Sequence, residues 1–276
     1  MARMDCGNRA FDLRNRVIIL TGGAGLIGRN HAGVLAEAGA RIVIADIDGK
    51  TASQVAAKHG MDRCMAVETD VTDPASVRVL MDAALARFGR IDGLVNNAAL
   101  DPKCDPLNSP GQAVGFESFP LELWLQGLAV NLTGPFLCAQ AVAPFMLKQR
   151  RGVIVNVSSI YGMVGPDQGI YRKEGEAAPS FVKPPVYSAT KAGLLGLTRY
   201  LAAYFAGTGI RVNAFTLGGV YNGHDEEFVR RYTARVTLGR MAAEDEYSQA
   251  LRFLLSDASS YMTGANLVLD GGWTAW

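Results

Sequence analysis

No run of eighteen uninterrupted apolar residues occurs in this chain, and Met1 to Asn15 carries charges without an apolar core. Neither a membrane span nor an export leader is expected, and the expected location is cytoplasmic. Bias of charge is also missing: 27 Lys and Arg stand against 26 Asp and Glu, a net +1, which argues against nucleic acid or an anionic membrane as partner. Cysteine is scarce and scattered, at Cys6, Cys64, Cys104 and Cys138. That excludes a disulfide framework or a thiolate metal site and suits free thiols in a reducing compartment. The three histidines, His31, His59 and His224, form no cluster with acidic residues, so no metal is expected. No repeat and no low-complexity tract divides the chain. With 276 residues, 49% of them hydrophobic, residues 1–276 are expected to bury one core as a single domain.

What is present is a series of apolar strands, each ending in small or polar residues. Val17 to Leu20 runs into Thr21-Gly22-Gly23-Ala24-Gly25-Leu26-Ile27-Gly28, and a helix-like segment from Arg29 to Ala38 follows. Strand, glycine turn and helix in that order suit a pyrophosphate, because backbone can approach closely and the helix N-terminus supplies unpaired N–H groups. The next strand, Ile42 to Ala45, ends at Asp46. A carboxylate at that spacing can bond both ribose hydroxyls and repel a 2′-phosphate, which favours NAD over NADP. Further strands are expected at Met65 to Glu68, Gly93 to Asn96, Gly152 to Val157, Arg211 to Phe215 and Asn266 to Leu269. The fold class expected is α/β, a Rossmann-like doubly wound sheet of seven parallel strands with helices on both faces.

Tyr187-Ser188-Ala189-Thr190-Lys191 puts a phenol and an ammonium four residues apart in a helix-like run, on one face. A neighbouring cation favours the phenolate, so Lys191 is expected to lower the pKa of Tyr187 toward the range of alcohol/carbonyl chemistry. Asn96-Asn97-Ala98-Ala99 and Ser158-Ser159 end two of the buried strands, and strand carboxyl ends line the ligand crevice of such a sheet.

Together these motifs resemble the short-chain dehydrogenase/reductase family, from about Arg16 to Trp273. The glycine loop, Asp70-Val71, Asn96 to Ala99, Val130-Asn131-Leu132-Thr133-Gly134, Ser159, Tyr187 with Lys191, and the tail through Asp270-Gly271-Gly272 carry the resemblance. It implies Tyr187 as general acid/base, Ser159 holding the substrate oxygen with Ser158 as the fallback, Lys191 on the nicotinamide ribose, and Asn131 holding a relay water. It also implies an NAD site made of Gly22, Gly25, Leu26, Ile27, Gly28, Asp46, Ile47, Asp70, Val71, Asn97, Ala98, Ala99, Tyr187, Lys191, Gly218 and Val220. Residues 221–240 would form a substrate lid, and the long helices Leu123 to Met146 and Tyr187 to Phe205 would pack in a homodimer or homotetramer.

Three positions depart from the family pattern: Leu26 and Ala99 stand where glycine is usual, and Leu217 where proline is usual. Spacing departs too. Ser159 and Tyr187 lie twenty-eight residues apart, and a second insertion runs from Leu100 to Pro120. Both insertions, near 100–120 and 163–185, are too polar and Pro/Gly-rich for core and read as loops at the crevice mouth, where they could wall a larger substrate. Arg172, Lys173 and Lys183 could meet an anionic one. The function expected is an NAD-dependent oxidoreductase interconverting a secondary alcohol and a ketone. Its small-molecule substrate would be a polyol, sugar or sugar derivative, with bacterial surface-sugar metabolism one setting. The alternatives are a ketoacyl-type reductase, an NAD-retaining sugar-nucleotide epimerase or dehydratase, and a non-enzymatic NAD sensor.

Overall fold

The computed structural model describes residues 10–101, 115–172, 175 and 181–276. Seven strands form one parallel sheet in the order β3-β2-β1-β4-β5-β6-β7. They are β1 Val17–Thr21, β2 Arg41–Asp46, β3 Cys64–Glu68, β4 Gly93–Asn96, β5 Gly152–Ser159, β6 Ile210–Leu217 and β7 Asn266–Leu269. All seven expected strands are present, four of them longer at the C-terminal end or on both sides. The helices are α1 Leu26–Glu37, α2 Gly49–Lys58, α3 Pro74–Phe88, α4 Leu121–Leu128, α5 Gly134–Gln149, α6 Pro185–Tyr204, α7 Glu226–Thr233 and α8 Ser248–Leu255.

The strands read as continuous apolar runs because both faces are covered. Side chains alternate between two cores. Ile18, Leu20, Ile42 and Ile44 pack with Leu35 of α1 and Leu251 and Leu254 of α8. Val17, Ile19, Val43 and Ile154 pack on the other face with Leu80 of α3 and Cys138, Val142 and Met146 of α5. The stretch Leu121–Gln149 is long and apolar enough to cross a membrane by length and composition alone. Cys138, Ala139, Val142 and Met146 of this stretch pack in the second of these cores, while Leu121, Leu125 and Phe136 are exposed.

Strand order reverses between β1 and β4, which opens a crevice at their carboxyl ends. The glycine loop leaves β1 there, Asn97 to Ala99 leave β4, and Ser159 ends β5. Between α4 and α5 the helix widens to a π turn over Ala129–Thr133, which carries Asn131 inward.

Candidate active site

A cleft of about 1140 Å³ runs along the carboxyl ends of the strands. At one end lie the glycine loop, Asp46, Ile47, Asp70, Val71 and Asn97 to Ala99; at the other lie Ser159, Tyr161, Tyr171, Phe181, Lys183, Tyr187 and Tyr232. Lys191, Gly218 and Val220 line it between them. Of the residues expected to act, all except Asn131 face this one cleft.

Glycine is required in the loop by contact. A Cβ on Gly28 would meet the Gly22 carbonyl oxygen at 2.2 Å, and one on Gly22, whose φ is +64°, would meet Ala98 Cα at 2.7 Å. Helix α1 begins at Leu26 with no side-chain cap, so its first-turn N–H groups are left for a ligand. The Asp46 carboxylate accepts from Ala24 N at 2.9 Å and Asp48 N at 3.1 Å, which fixes it at the rim, and Ile47 beside it is 71% exposed. The cradle, the open helix end and the rim carboxylate fit a dinucleotide. Asn97 serves the loop from within: its amide donates to the carbonyls of Thr21 and Gly22 at 3.1 and 2.9 Å.

At the other end, Pro184 and Pro185 start α6, so Tyr187 stands in its first turn and Lys191 one turn on. The absence of a Cβ on Gly162 lets the turn Ile160–Gly162 lie against the backbone of Lys191, where a Cβ would come within 2.6 Å. That contact brings the end of β5 beside α6. Ser158 is buried and donates to the Lys191 carbonyl at 2.8 Å. Ser159 accepts weakly from Tyr161 N at 3.3 Å and lines the cleft beside Tyr187, whose ionisation it favours.

One expectation needs correction. Lys191 was expected to lower the pKa of Tyr187; instead the phenol is raised well above its ordinary value, by burial first and the nearby Asp101 next, with the Ser159 bond opposing. Lys191 is itself desolvated, brought down to about 8, and its ammonium donates to the Val157 carbonyl at 2.8 Å. Asn131 was expected to hold a relay water. Its side chain is already used by the backbone of Leu100, accepting from the N–H at 2.7 Å and donating to the carbonyl at 3.0 Å. Only its main chain is left for such a role.

Part of the described insertion near 163–185 is buried, where a surface loop was expected. Ile170, Tyr171, Phe181 and Lys183 are buried, and Tyr161, Tyr171, Phe228 and Tyr232 form an aromatic wall around the substrate end. Tyr161 and Tyr171 join through their hydroxyls at 2.9 Å, and Tyr171 packs on Phe181 and Phe228 with ring centroids 5.3 and 5.6 Å apart. Lys183 pairs with Asp101 at the edge of this wall. Lys173 lies outside the described residues, as does most of the insertion near 100–120. Arg172 accepts a hydrogen bond at its carbonyl from Arg231. The wall was missed in the sequence, where Tyr161, Tyr171 and Phe181 stand ten residues apart and far from Phe228 and Tyr232. Among the described residues no cluster of His, Cys, Asp and Glu could hold a metal ion.

Residues 23–274 match a family model described as enoyl-(acyl carrier protein) reductase. The chain is 38% identical to cis-4-hydroxycyclohexanecarboxylate dehydrogenase of Sinomonas cyclohexanicum, over 94% of this chain and 97% of that protein. It is 37% identical to D-threitol dehydrogenase of Mycolicibacterium smegmatis, over 96% and 95%. The crystal structure of a gluconate 5-dehydrogenase from Burkholderia cenocepacia, in complex with NADP and tartrate, superposes with a TM-score of 0.82 at 31% identity, covering 98% of this chain and 99% of that one. With its strand order, its glycine cradle and its Ser159, Tyr187 and Lys191 gathered in one cleft, the chain belongs to the short-chain dehydrogenase/reductase family of oxidoreductases.

Proposed function

We propose that the protein is an NAD-dependent dehydrogenase that interconverts a secondary alcohol and a ketone on a polyol, sugar or sugar derivative. The observation that carries this reading is the convergence of Ser159, Tyr187 and Lys191 on the cleft that also holds the glycine loop. A bound nicotinamide supplies the acceptor or donor of hydride. In oxidation the Tyr187 oxygen takes the hydroxyl proton, and in reduction it returns one. Ser159 hydrogen-bonds the same substrate oxygen and orients it. Lys191 would hold the nicotinamide ribose from below the phenol.

Preference for NAD rests on charge. Asp46 and Asp48 line the ribose end, whereas the basic residues of the lining, Arg172, Lys183 and Lys191, stand toward the substrate end. A 2′-phosphate would meet the carboxylates of Asp46 and Asp48 there. The gluconate 5-dehydrogenase holds NADP, so Asp46 is the position that decides the matter for this chain, and its substitution tests it.

The threitol, gluconate and cyclohexane-ring substrates in the names of the similar proteins share a secondary carbinol. The aromatic wall favours a substrate with an apolar face, such as the C–H face of a ring. Segment 221–240, with α7 and the Phe228 and Tyr232 side chains, would close over it as a lid. The same reading includes a homodimer or homotetramer: Leu132, Phe136, Leu197 and Tyr200 rim a shallow apolar hollow shared by the π turn, α5 and α6. Turnover of NAD+ with candidate alcohols, lost in Tyr187→Phe, tests the whole.

A further inference from the structure

Tyr187 has a second ammonium, nearer than Lys191. The Nζ of Lys183 lies 4.3 Å from the centroid of the phenol ring, against 5.7 Å for Lys191. Lys183 is 8% exposed and its carboxylate partner is Asp101, whose side chain is 54% exposed in the cleft. Two side-chain amides fix the segments that carry this pair. Gln168 accepts from Lys183 N at 2.9 Å and donates to its carbonyl at 3.3 Å. Asn131 holds both backbone groups of Leu100, the residue before Asp101. Pro184 and Pro185 then stiffen the chain between Lys183 and the phenol.

We propose that Lys183, held by Asp101, is a positioning residue that stabilises the phenolate form of Tyr187 from the face of its ring. The proposal rests on the reading of Tyr187 as acid/base. Burial makes the phenolate costly and Asp101 adds to the cost, while the Lys191 ammonium lies 5.7 Å from the ring centroid and is already bonded to the Val157 carbonyl. A cation within about 4–6 Å favours the charged form. The groups that face the phenol are Lys191 from α6, Lys183 from the segment before it, Asp101 after β4, Ser159 and Tyr161 at the end of β5, and Tyr232 of α7. Two cations against one carboxylate leave a net positive surrounding. Asp101 keeps the Lys183 ammonium in place and also dilutes its field, so loss of either partner moves the phenol in opposite directions.

The test uses protein labelled with 13C at tyrosine Cζ, the Tyr187 resonance assigned by its disappearance in Tyr187→Phe. Titration should move to higher pH in Lys183→Met, return toward wild type in Lys183→Arg, and move to lower pH in Asp101→Asn. With a turnover substrate, kcat/KM of Lys183→Met at neutral pH should fall by about tenfold and recover as pH rises. A Tyr187 titration unmoved by Lys183→Met and Asp101→Asn overturns the proposal. If Lys183→Met does not fold, Asp101→Asn and Lys183→Arg carry the test alone, and an unmoved Asp101→Asn overturns it. The NMR reading needs no substrate, so turnover that survives Tyr187→Phe would reject the acid/base role without touching the titration result.

Discussion

Tyr187 is 9% exposed and sits where burial both helps and hinders it. Water is kept from the reacting oxygen, which strengthens every polar contact there, while the phenolate loses hydration. The i, i+4 spacing made Tyr187 and Lys191 legible in the sequence. The sign of the net effect was not, because it depends on desolvation and Asp101, neither of which is local to the helix. Ser159 was preferred to Ser158 through the family resemblance, and the structure separates the two: Ser158 donates to the Lys191 carbonyl, while Ser159 accepts only weakly from Tyr161 N and lines the cleft. Removing that hydroxyl in Ser159→Ala should lower kcat/KM by about 10²-fold with dinucleotide affinity unchanged, measured by steady-state kinetics and NADH fluorescence. A matching loss of NADH affinity would move Ser159 out of the substrate role. At Asp46, the variant Asp46→Ser should narrow the ratio of NADP to NAD dissociation constants by about tenfold, since one carboxylate-to-phosphate repulsion near a surface is worth on the order of 1 kcal/mol. An unchanged ratio would remove Asp46 from cofactor choice.

Among the elements, the strands and the turns that follow them were readable because each buried run is bounded by glycine or a polar cluster, and β4 and β7 match residue for residue. The insertion before α6 was read as exposed loop because its Pro, Gly and charged residues outnumber its apolar ones. Within it Tyr171 nonetheless packs on Phe228 of α7, and Tyr161 just before it packs on Trp273 near the C-terminus, both partners distant in sequence. The π turn was illegible, since one extra residue in a helix leaves no mark in periodicity over five residues. The glycine loop gives the element its own test. A Cβ on Gly28 would also come within 2.8 Å of Gly23 Cα, so the contacted atoms are backbone and the turn itself must shift. Gly28→Ala should weaken NADH binding by tenfold or more and cost about 1–3 kcal/mol of stability in urea. Binding as tight as wild type would mean that the cradle does not hold the pyrophosphate.

For the whole molecule, stability toward acid depends on a histidine remote from the cleft. His31 of α1 is fully buried, bonded through Nδ1 to Ser248 at 3.0 Å, and burial brings its pKa from 6.5 to about 3. Below pH 6.5 the unfolded chain protonates this group and the folded one does not, so stability is full above 6.5 and falls as pH drops toward 3. The slope is at most about 1.4 kcal/mol per pH unit, or about 2 kcal/mol between pH 7 and 5. Urea midpoints at the two pH values should converge in His31→Gln relative to wild type, and equal losses would assign the acid sensitivity elsewhere. The proposed oligomer is a property of the same scale: light scattering should give a dimer or tetramer for wild type and a smaller species for Phe136→Glu, whose position on the apolar hollow is 46% exposed.

The proposed function turns on Tyr187 moving the proton in an NAD-linked oxidation of a secondary alcohol. The most direct measurement follows NADH absorbance for wild type and Tyr187→Phe with NAD+ and a panel of polyols, sugars, sugar nucleotides and hydroxylated cyclohexanes. Wild type should give a signal that falls by about 10²- to 10⁴-fold in the variant while NADH still binds. Turnover equal in the two proteins would contradict it.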